Sequence, residues 1–511
     1  MSDGVEKIEP SLVTFAPDVA IEPTVDGWAA WLFLLDPIGA CFYRQRHVAL
    51  LRSYVANPER HAKAVLDTRL AGGSFCDLGS VNLDQVRRYL AWYEDVSQPM
   101  IRFGEALNDL QNELVKCDSL PAYGALPAEL RGRVELRRSD DGRPSMRILR
   151  GPHASRPAIG AAMWQDGRRR PSFGSTPRLA DDPRMQVGEG AAGMLAALMD
   201  AYHRPCPADA LVARAAALGL RTEGIMSPVP PPDPGAGAAT FLGHASVALR
   251  LRGGRLVSDP VPPSSSPTAR GLDDVRVVVI SHGHPDHFSP EALLSLVAQQ
   301  PTVVVPRNVD GSRFDASLAN GARVLGFTSV IELGPYETFE TDEVRLTALP
   351  FLGEHGNLPI HAKAAFHVET DQFGVVLAAD ATGLDPAVFN RDIGGRVDAL
   401  VIGIEPAGAR AGWLYGPLLA AAHRQRHMAD EPLAGATAEE VLEIARTLGA
   451  RQVRIYGTGA PGMEHILGRS SGNASRALSE CARLRAMAVA ADLDILVLRT
   501  PGEDLRLGDP R

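Results

Sequence analysis

Cysteine is scarce and shows no pairing pattern: five residues in a chain of 511, at Cys41, Cys76, Cys117, Cys206 and Cys481, with no CxxC spacing. An odd, scattered set excludes a disulfide framework and the thiolate zinc motifs, and it suits a reducing cytoplasm. Long apolar runs are missing too. The nearest, "WAAWLFLLDPIGACFY", is broken by Asp36 and Pro37, falls short of the roughly 18 residues that span a bilayer, and reads as a buried helix. The opening "MSDGVEKIEPSLVTFAPD" has no basic stretch followed by an apolar one, so no secretory leader is expected. Excess positive charge is absent: the formal net charge is −9, which argues against a general nucleic-acid binder, whose phosphate contacts need clustered basic residues. Nor is there a dinucleotide fingerprint, because "GGRVDAL" and "GTGAPG" carry glycines without the GxGxxG spacing between strand and helix.

The remainder is ordinary for a globular protein, with 45% hydrophobic and 22% charged residues. A chain this long is expected to divide into two or more domains. The clearest boundary is "SPVPPPDPGAGAAT", Ser227 to Thr240, where proline fixes φ and removes backbone donors so that neither helix nor central strand can pass. We place an N-terminal domain at 1–226, a linker at 227–238 and a second domain at 239–511. Upstream, "LDQVRRYLAWYEDVSQPMIRFGEALNDLQNELV" has helical spacing, and "GRVELRRSDDGRPSMRILRG" predicts two strands about a turn at Asp140, Asp141 and Gly142. This part is mixed α+β, and its one notable basic run is Arg168, Arg169 and Arg170. Downstream, short strand-like runs follow one another ("ATFLG", "SVALRL", "RLVSDP", "VRVVVISH", "TVVVP", "VRLTALP", "AAFHVE", "FGVVLAAD", "DALVIGI", "VRIYGTG", "LDILVLRT"), with helical patterns such as "SPEALLSLVAQQ" and "ATAEEVLEIARTLG" between them. The second domain is thus α/β.

Chemistry concentrates in "VVVISHGHPDHFSPEALL", Val277 to Leu294. His282, His284, Asp286 and His287 fall within six residues, after a strand and before a helix for which Ser289 is a natural N-cap. Imidazole and carboxylate are the usual ligands of borderline and hard divalent metals. On a turning loop, His282 and His284 can point to one metal while Asp286 and His287 reach a second.

This HxHxDH pattern among short strands resembles the metallo-β-lactamase fold superfamily, over Ala239 to Arg511. The resemblance implies an αββα sandwich. "FLGHAS" and "VSDP" resemble the superfamily's opening strands, where His244 and Asp259 would support the ligands. "VVLAADATG" resembles the strand that ends in a metal-bridging aspartate, here Asp380. "VRIYGTGAPGMEHILG" resembles the segment that supplies the last histidine, here His465. Where hydrolases of the superfamily carry a further histidine, this chain has "FLGEHG", with Glu354 at the strand end and His355 beside it. A histidine ligand there points to zinc hydrolysis. A glutamate adds a hard anionic oxygen, which suits iron better.

The segment "FLGEHG", the long N-terminal region and the placement of Glu354 and Asp380 at 72 and 98 positions after His282 are similar to the diiron β-hydroxylases of chloramphenicol biosynthesis, the CmlA type. That resemblance implies two iron ions, O2 as cosubstrate and an external electron donor or reductase. It implies β-hydroxylation of an amino acid tethered as a thioester to the carrier domain of a nonribosomal peptide synthetase. It further implies a cytoplasmic homodimer, whose N-terminal domain serves dimerisation or docking. The alternative is a dinuclear enzyme with two zinc ions, hydrolysing an ester, thioester or phosphodiester through metal-bound hydroxide. A noncatalytic carrier-binding role is a third reading, weakened by the full apparent ligand set. His361, His367, His423 and His427 lie outside the motif; His367 reads as a strand residue, and His423 and His427 as one helix face.

Overall fold

The computed structural model describes residues 12–15, 19–25, 28–29, 49–67, 83–84, 87, 90–91, 98–138, 142–148, 159–165, 222–226, 239–261, 272, 274–284, 286–289, 292–293, 296–308, 317–353, 360, 362–385, 396–405, 409–410, 432–433, 435–457 and 471–507. Glu354, His355, His361, His423, His427, His465 and the Arg168, Arg169, Arg170 run lie outside them.

The N-terminal part is mixed α and β, as its patterns predict. Helix Gln98–Leu114 buries Phe103, Leu107, Leu110 and Leu114, a three- and four-residue spacing that makes one apolar stripe. Pro58–Leu66 starts where Asn57 accepts the Arg60 N–H at 3.1 Å, with proline in the first turn. Strands Val134–Arg138 and Pro144–Ile148 pair antiparallel, and Gly142 takes the positive φ of 79° that their connection requires. The apolar stretch expected to be helical departs from that reading at its start. Trp28–Ala29 is a strand paired with Thr24 and Val25, because the two residues extend a sheet already formed by Val19–Val25 and Ile159–Gln165.

The C-terminal part is a two-sheet sandwich, its strands numbered here from β1. The first sheet holds β1 (Ala239–Gly243), β2 (Ser246–Leu251), β3 (Gly254–Ser258), β4 (Val275–Val279), β5 (Thr302–Pro306) and β6 (Val330–Leu333), in sequential order. The second holds β7 (Thr338–Glu340), β8 (Arg345–Leu349), β9 (Ala365–Glu369), β10 (Gly374–Leu377), β11 (Ala399–Gly403), β12 (Gln452–Tyr456) and β13 (Asp494–Val497), again in order. Each sheet begins antiparallel and ends parallel. Three helices are used below: α1 (Leu318–Val324), α2 (Ala438–Leu448) and α3 (Ser471–Val489).

Period-two alternation decides the layers. In β4, Val277 and Val279 enter the core between the sheets, while Val278 and Ile280 face outward against Leu318 and Ala322 of α1. In β11, Ala399 and Val401 face the other sheet, while Leu400 and Ile402 face Val441 and Ala445 of α2 and Leu484 of α3. Both faces of each sheet are therefore apolar, which gives the strands near-continuous runs such as "VRVVV". Helix α2 opens on a capping box between Thr437 and Glu440 and closes on left-handed Gly449.

The segment after β13 returns to β1: the Phe241 N–H donates to the Glu503 carbonyl at 2.8 Å, and the Leu505 N–H to that of Ala239 at 2.8 Å. Arg454 on β12 secures this return. Its buried guanidinium donates to the carbonyls of Leu505, Arg506 (3.1 Å) and Asp494 (3.1 Å), and it pairs with the Asp494 carboxylate at 2.9 Å. Arg454→Met keeps the apolar stem but leaves these carbonyls without a charged donor, at about 1.5–3 kcal/mol for such a bond. Chemical denaturation of Arg454→Met should therefore show an unfolding free energy lower by that amount or more, with Arg454→Lys recovering part of it.

Candidate metal centre

Strands β1, β3 and β4 run the same way in the first sheet, as do β8, β10, β11 and β12 in the second. The loops after these strands therefore share one rim. His244 follows β1, Asp259 follows β3, Ser281 to Asp286 follow β4, Asp380 follows β10, and Tyr456 and Gly457 end β12. Three of the turns put a non-glycine residue in the left-handed region: His244 (φ 46°), Asp259 (φ 38°) and Ala379 (φ 48°). Such conformations persist only where surrounding contacts over-determine them, and they cluster at functional sites.

Asp259, 2% exposed, organises the histidines. Its Oδ1 accepts the Ser281 N–H at 2.7 Å, and its Oδ2 accepts the Ser281 hydroxyl at 2.7 Å and His287 Nδ1–H at 2.8 Å. Because the Ser281 proton goes to Asp259, the Ser281 oxygen is left to accept from His282 Nδ1–H, 2.9 Å away. Both rings thereby commit Nδ1 and present Nε2 to the same carboxylate: His287 Nε2 lies 3.0 Å and His282 Nε2 4.0 Å from Asp380 Oδ2. This is how a hydrogen bond at one ring nitrogen sets which nitrogen meets a metal.

Ligand atoms of His282, His287 and Asp380 lie within 4.8 Å of one another, and so do those of His244, Asp286 and His287. His287 belongs to both groups. His244 Nε2–H donates to Asp286 Oδ2 at 2.9 Å, and His287 Nε2 is 3.8 Å from that oxygen. The structure thus divides the motif differently from the pairing expected on a turning loop: His282 goes with Asp380, and Asp286 with His244. His284 is outside both groups, half-buried, with its ring edge-on to His282 at 4.7 Å between centroids. His244 is the participant the motif alone understated, because its partner Asp286 is 42 positions away.

Electrostatics fit a cation. Burial disfavours charge on His287, but Asp380, Asp286 and Asp259 together raise its pKa well above the usual imidazole value. Burial likewise works against the Asp286 carboxylate, yet His287, His244 and His284 hold its pKa far below the ordinary range. Imidazole nitrogens with hard carboxylate oxygens, and no thiolate among the described residues here, make a donor set for a divalent transition metal. His367 has no part in this. It sits on β9 with Nε2 3.0 Å from the Arg396 carbonyl, as expected of a strand residue, and burial lowers its pKa.

The chain that leads to Glu354 is anchored beside Asp380. Strand residues Phe351–Leu352 pair with Gly383–Leu384, and the Thr382 N–H donates to the Leu352 carbonyl at 3.0 Å. Gly353 has φ 92°, and a Cβ there would lie 1.9 Å from Thr382 Oγ1, so only glycine fits. Lys363 donates to the Gly353 carbonyl at 3.1 Å. In the same way Gly457, which leads toward His465, donates its N–H to the His244 carbonyl at 2.8 Å.

Two family models match. A diiron non-heme β-hydroxylase N-terminal domain matches residues 14–211, and a β-lactamase superfamily domain matches residues 238–409. The 4-amino-L-phenylalanyl-[CmlP-peptidyl-carrier-protein] 3-hydroxylase of Streptomyces venezuelae is 30% identical over 484 residues, which are 86% of this chain and 90% of the relative. The chain belongs to the diiron non-heme β-hydroxylase family. The crystal structure of CmlA, a diiron β-hydroxylase from Streptomyces venezuelae, superimposes with a TM-score of 0.75 at 27% identity, covering 98% of this chain and 100% of that one. Family membership decides between the readings the cluster left open: the enzyme is of the diiron β-hydroxylase type. Among the described residues, no helix of this β-hydroxylase is long and apolar enough to cross a membrane.

The tautomer argument has a direct check. Ser281→Ala removes the acceptor for His282 Nδ1–H, so long-range proton–nitrogen NMR of the metal-free protein should show His282 losing its fixed Nδ1–H form. Stability should fall by about 1–3 kcal/mol for the orphaned buried group. An unchanged His282 tautomer would refute the assignment.

Proposed function

We propose that this enzyme hydroxylates the β-carbon of an amino acid carried as a thioester on the carrier domain of a nonribosomal peptide synthetase. One observation carries the reading: the relative aligned along 86% of the chain is a 3-hydroxylase named for an aminoacyl peptidyl-carrier-protein substrate. We assign His282, His284, Asp286, His287, Glu354, Asp380 and His465 as the residues that hold two irons, with Asp380 shared between them, since one carboxylate has two oxygens for two cations. The bound irons would supply the O2 activation and electron storage that the protein's own side chains lack. Asp259 and Ser281 orient the ring nitrogens, and the buried histidine and carboxylate walls keep bulk water from the centre. Electrons come from an external donor or reductase, in keeping with a sequence that has no nicotinamide or flavin fingerprint.

We further take 239–511 as the catalytic unit and 1–226 as a unit for dimerisation or partner docking, joined by the linker at 227–238. Arg168, Arg169 and Arg170 are candidates for a docking patch, the alternative being a solvated loop: a local basic run can steer association for an otherwise acidic chain. A cytoplasmic location suits the two described free cysteines, Cys117 and Cys481.

The ligand assignment at 354 predicts that Glu354→Ala binds less iron and loses hydroxylation, while His355→Ala is milder. Iron content by colorimetric assay, with product by mass spectrometry, checks both, and the opposite pattern would move the ligand to His355. For the substrate, the reduced diiron protein should add one oxygen atom to an aminoacyl thioester on a carrier domain and none to the free amino acid. Equal turnover of the free amino acid would remove the carrier from the reading.

A further inference from the structure

Asp380 is aimed by a backbone that a non-glycine residue does not adopt unaided. Ala379, immediately before it, has φ 48°. Both polar groups of that residue are held by the neighbouring strands. The Gly403 N–H at the end of β11 donates to the Ala379 carbonyl at 2.8 Å, and the Ala379 N–H donates to the phenol oxygen of Tyr456 at 3.1 Å. The second bond has no counterpart in a regular sheet: its acceptor is a side chain, and it comes from β12, the strand beyond β11.

The room for this contact is visible in the register. Gly403 and Tyr456 are paired neighbours on β11 and β12, and neighbours in a parallel pair face the same side. Gly403 has no side chain, and a Cβ there would sit 3.1 Å from Asp380 Oδ1 and 3.2 Å from the Ala379 carbonyl oxygen. The Asp380 carboxylate therefore lies over Gly403, in the space a side chain would take. The Tyr456 ring, 1% exposed and packed in the core between the sheets, reaches along the same face to the Ala379 N–H. The next residue, Gly457, holds the His244 carbonyl, so the end of β12 touches the turns that carry both ligand groups.

From this we infer that Tyr456 is a positioning residue for the metal centre: its phenol oxygen fixes the left-handed turn at Ala379 and so places the Asp380 carboxylate opposite the Nε2 atoms of His282 and His287. The inference rests on the reading of Asp380 as a metal ligand. Phenylalanine would fill the core equally well, so packing alone does not call for the hydroxyl. Burial, with the charges of Asp259 and Asp380, also holds the phenol in its neutral form, which keeps a further anion out of the cluster.

The experiment is an anaerobic titration of the full-length metal-free protein with Fe(II), against a chromophoric chelator, for wild type, Tyr456→Phe, Asp380→Asn and Tyr456→Phe with Ala379→Gly. Tyr456→Phe should fold with an unchanged circular dichroism spectrum and bind iron about ten- to a hundredfold more weakly, the usual effect of losing a residue that orients a ligand. Ala379→Gly in that background should recover part of the loss, because glycine keeps a positive φ without help. Loss of affinity without recovery would assign Tyr456 to the core alone and overturn the inference, as would unchanged affinity in Tyr456→Phe while Asp380→Asn binds weakly. Unchanged affinity in Asp380→Asn would instead overturn the ligand reading beneath it. Should Tyr456→Phe not fold, Tyr456 is a core residue and the inference falls.

Discussion

The centre depends on one buried carboxylate, that of Asp259, and on the donors that meet it. A carboxylate removed from water is costly unless several donors meet it. Here the Ser281 N–H, the Ser281 hydroxyl and the His287 ring supply three. Those donors are in turn fixed in direction by what they serve. Asp259 needs a left-handed backbone to turn its side chain under β4, and its own N–H is tied to the Val279 carbonyl at 2.8 Å. The tautomers of two histidines then follow from one carboxylate, and the placement of Nε2 follows from the tautomers.

A second consequence is that the rim is stiff where it must hold charge. His244, Asp259 and Ala379 occupy strained backbone positions held by hydrogen bonds from other strands. Asp380, 23% exposed in its side chain, is the open member of the group. Buried groups set geometry, and the exposed edge of Asp380 marks where the cluster meets the outside.

Much of this was legible in the residues. The strand run "VRVVVISH" followed by four ligand-type side chains announced a loop-borne metal site, and all eleven strand-like runs quoted from the second domain are strands in the fold. Of the thirteen strands of the two sandwich sheets, the two missed are β6 and β7, "VIEL" and "TFE". Both are edge strands, short and only partly buried, so neither shows the apolar run or alternation that marks a strand. The helix expected at "WAAWLFLL" begins as strand because Trp28 and Ala29 pair with Val25 and Thr24, whose strand is itself held by the distant Ile159–Gln165, and composition carries no trace of that partner. The double role of His287 and the link from His244 to Asp286 were also out of reach. They depend on which strand ends meet at the rim, and no local spacing encodes that. Glu354 and His465 lie outside the described residues.

The hydrogen bonds from Phe241 to Glu503 and from Leu505 to Ala239 bear on how the molecule is made. The edge strand β1 completes its ladder with a segment that leaves the ribosome only after both sheets and helices α1 to α3 have been synthesised. During translation β1 and the turn that carries His244 are thus exposed along one side for as long as the rest of the sandwich takes to emerge. Contacts this distant in sequence also close slowly once the chain is free. The sandwich should therefore be slow to mature, with its histidine-bearing rim among the last parts to become rigid, while the N-terminal part, built from contacts made earlier, has time to fold before it.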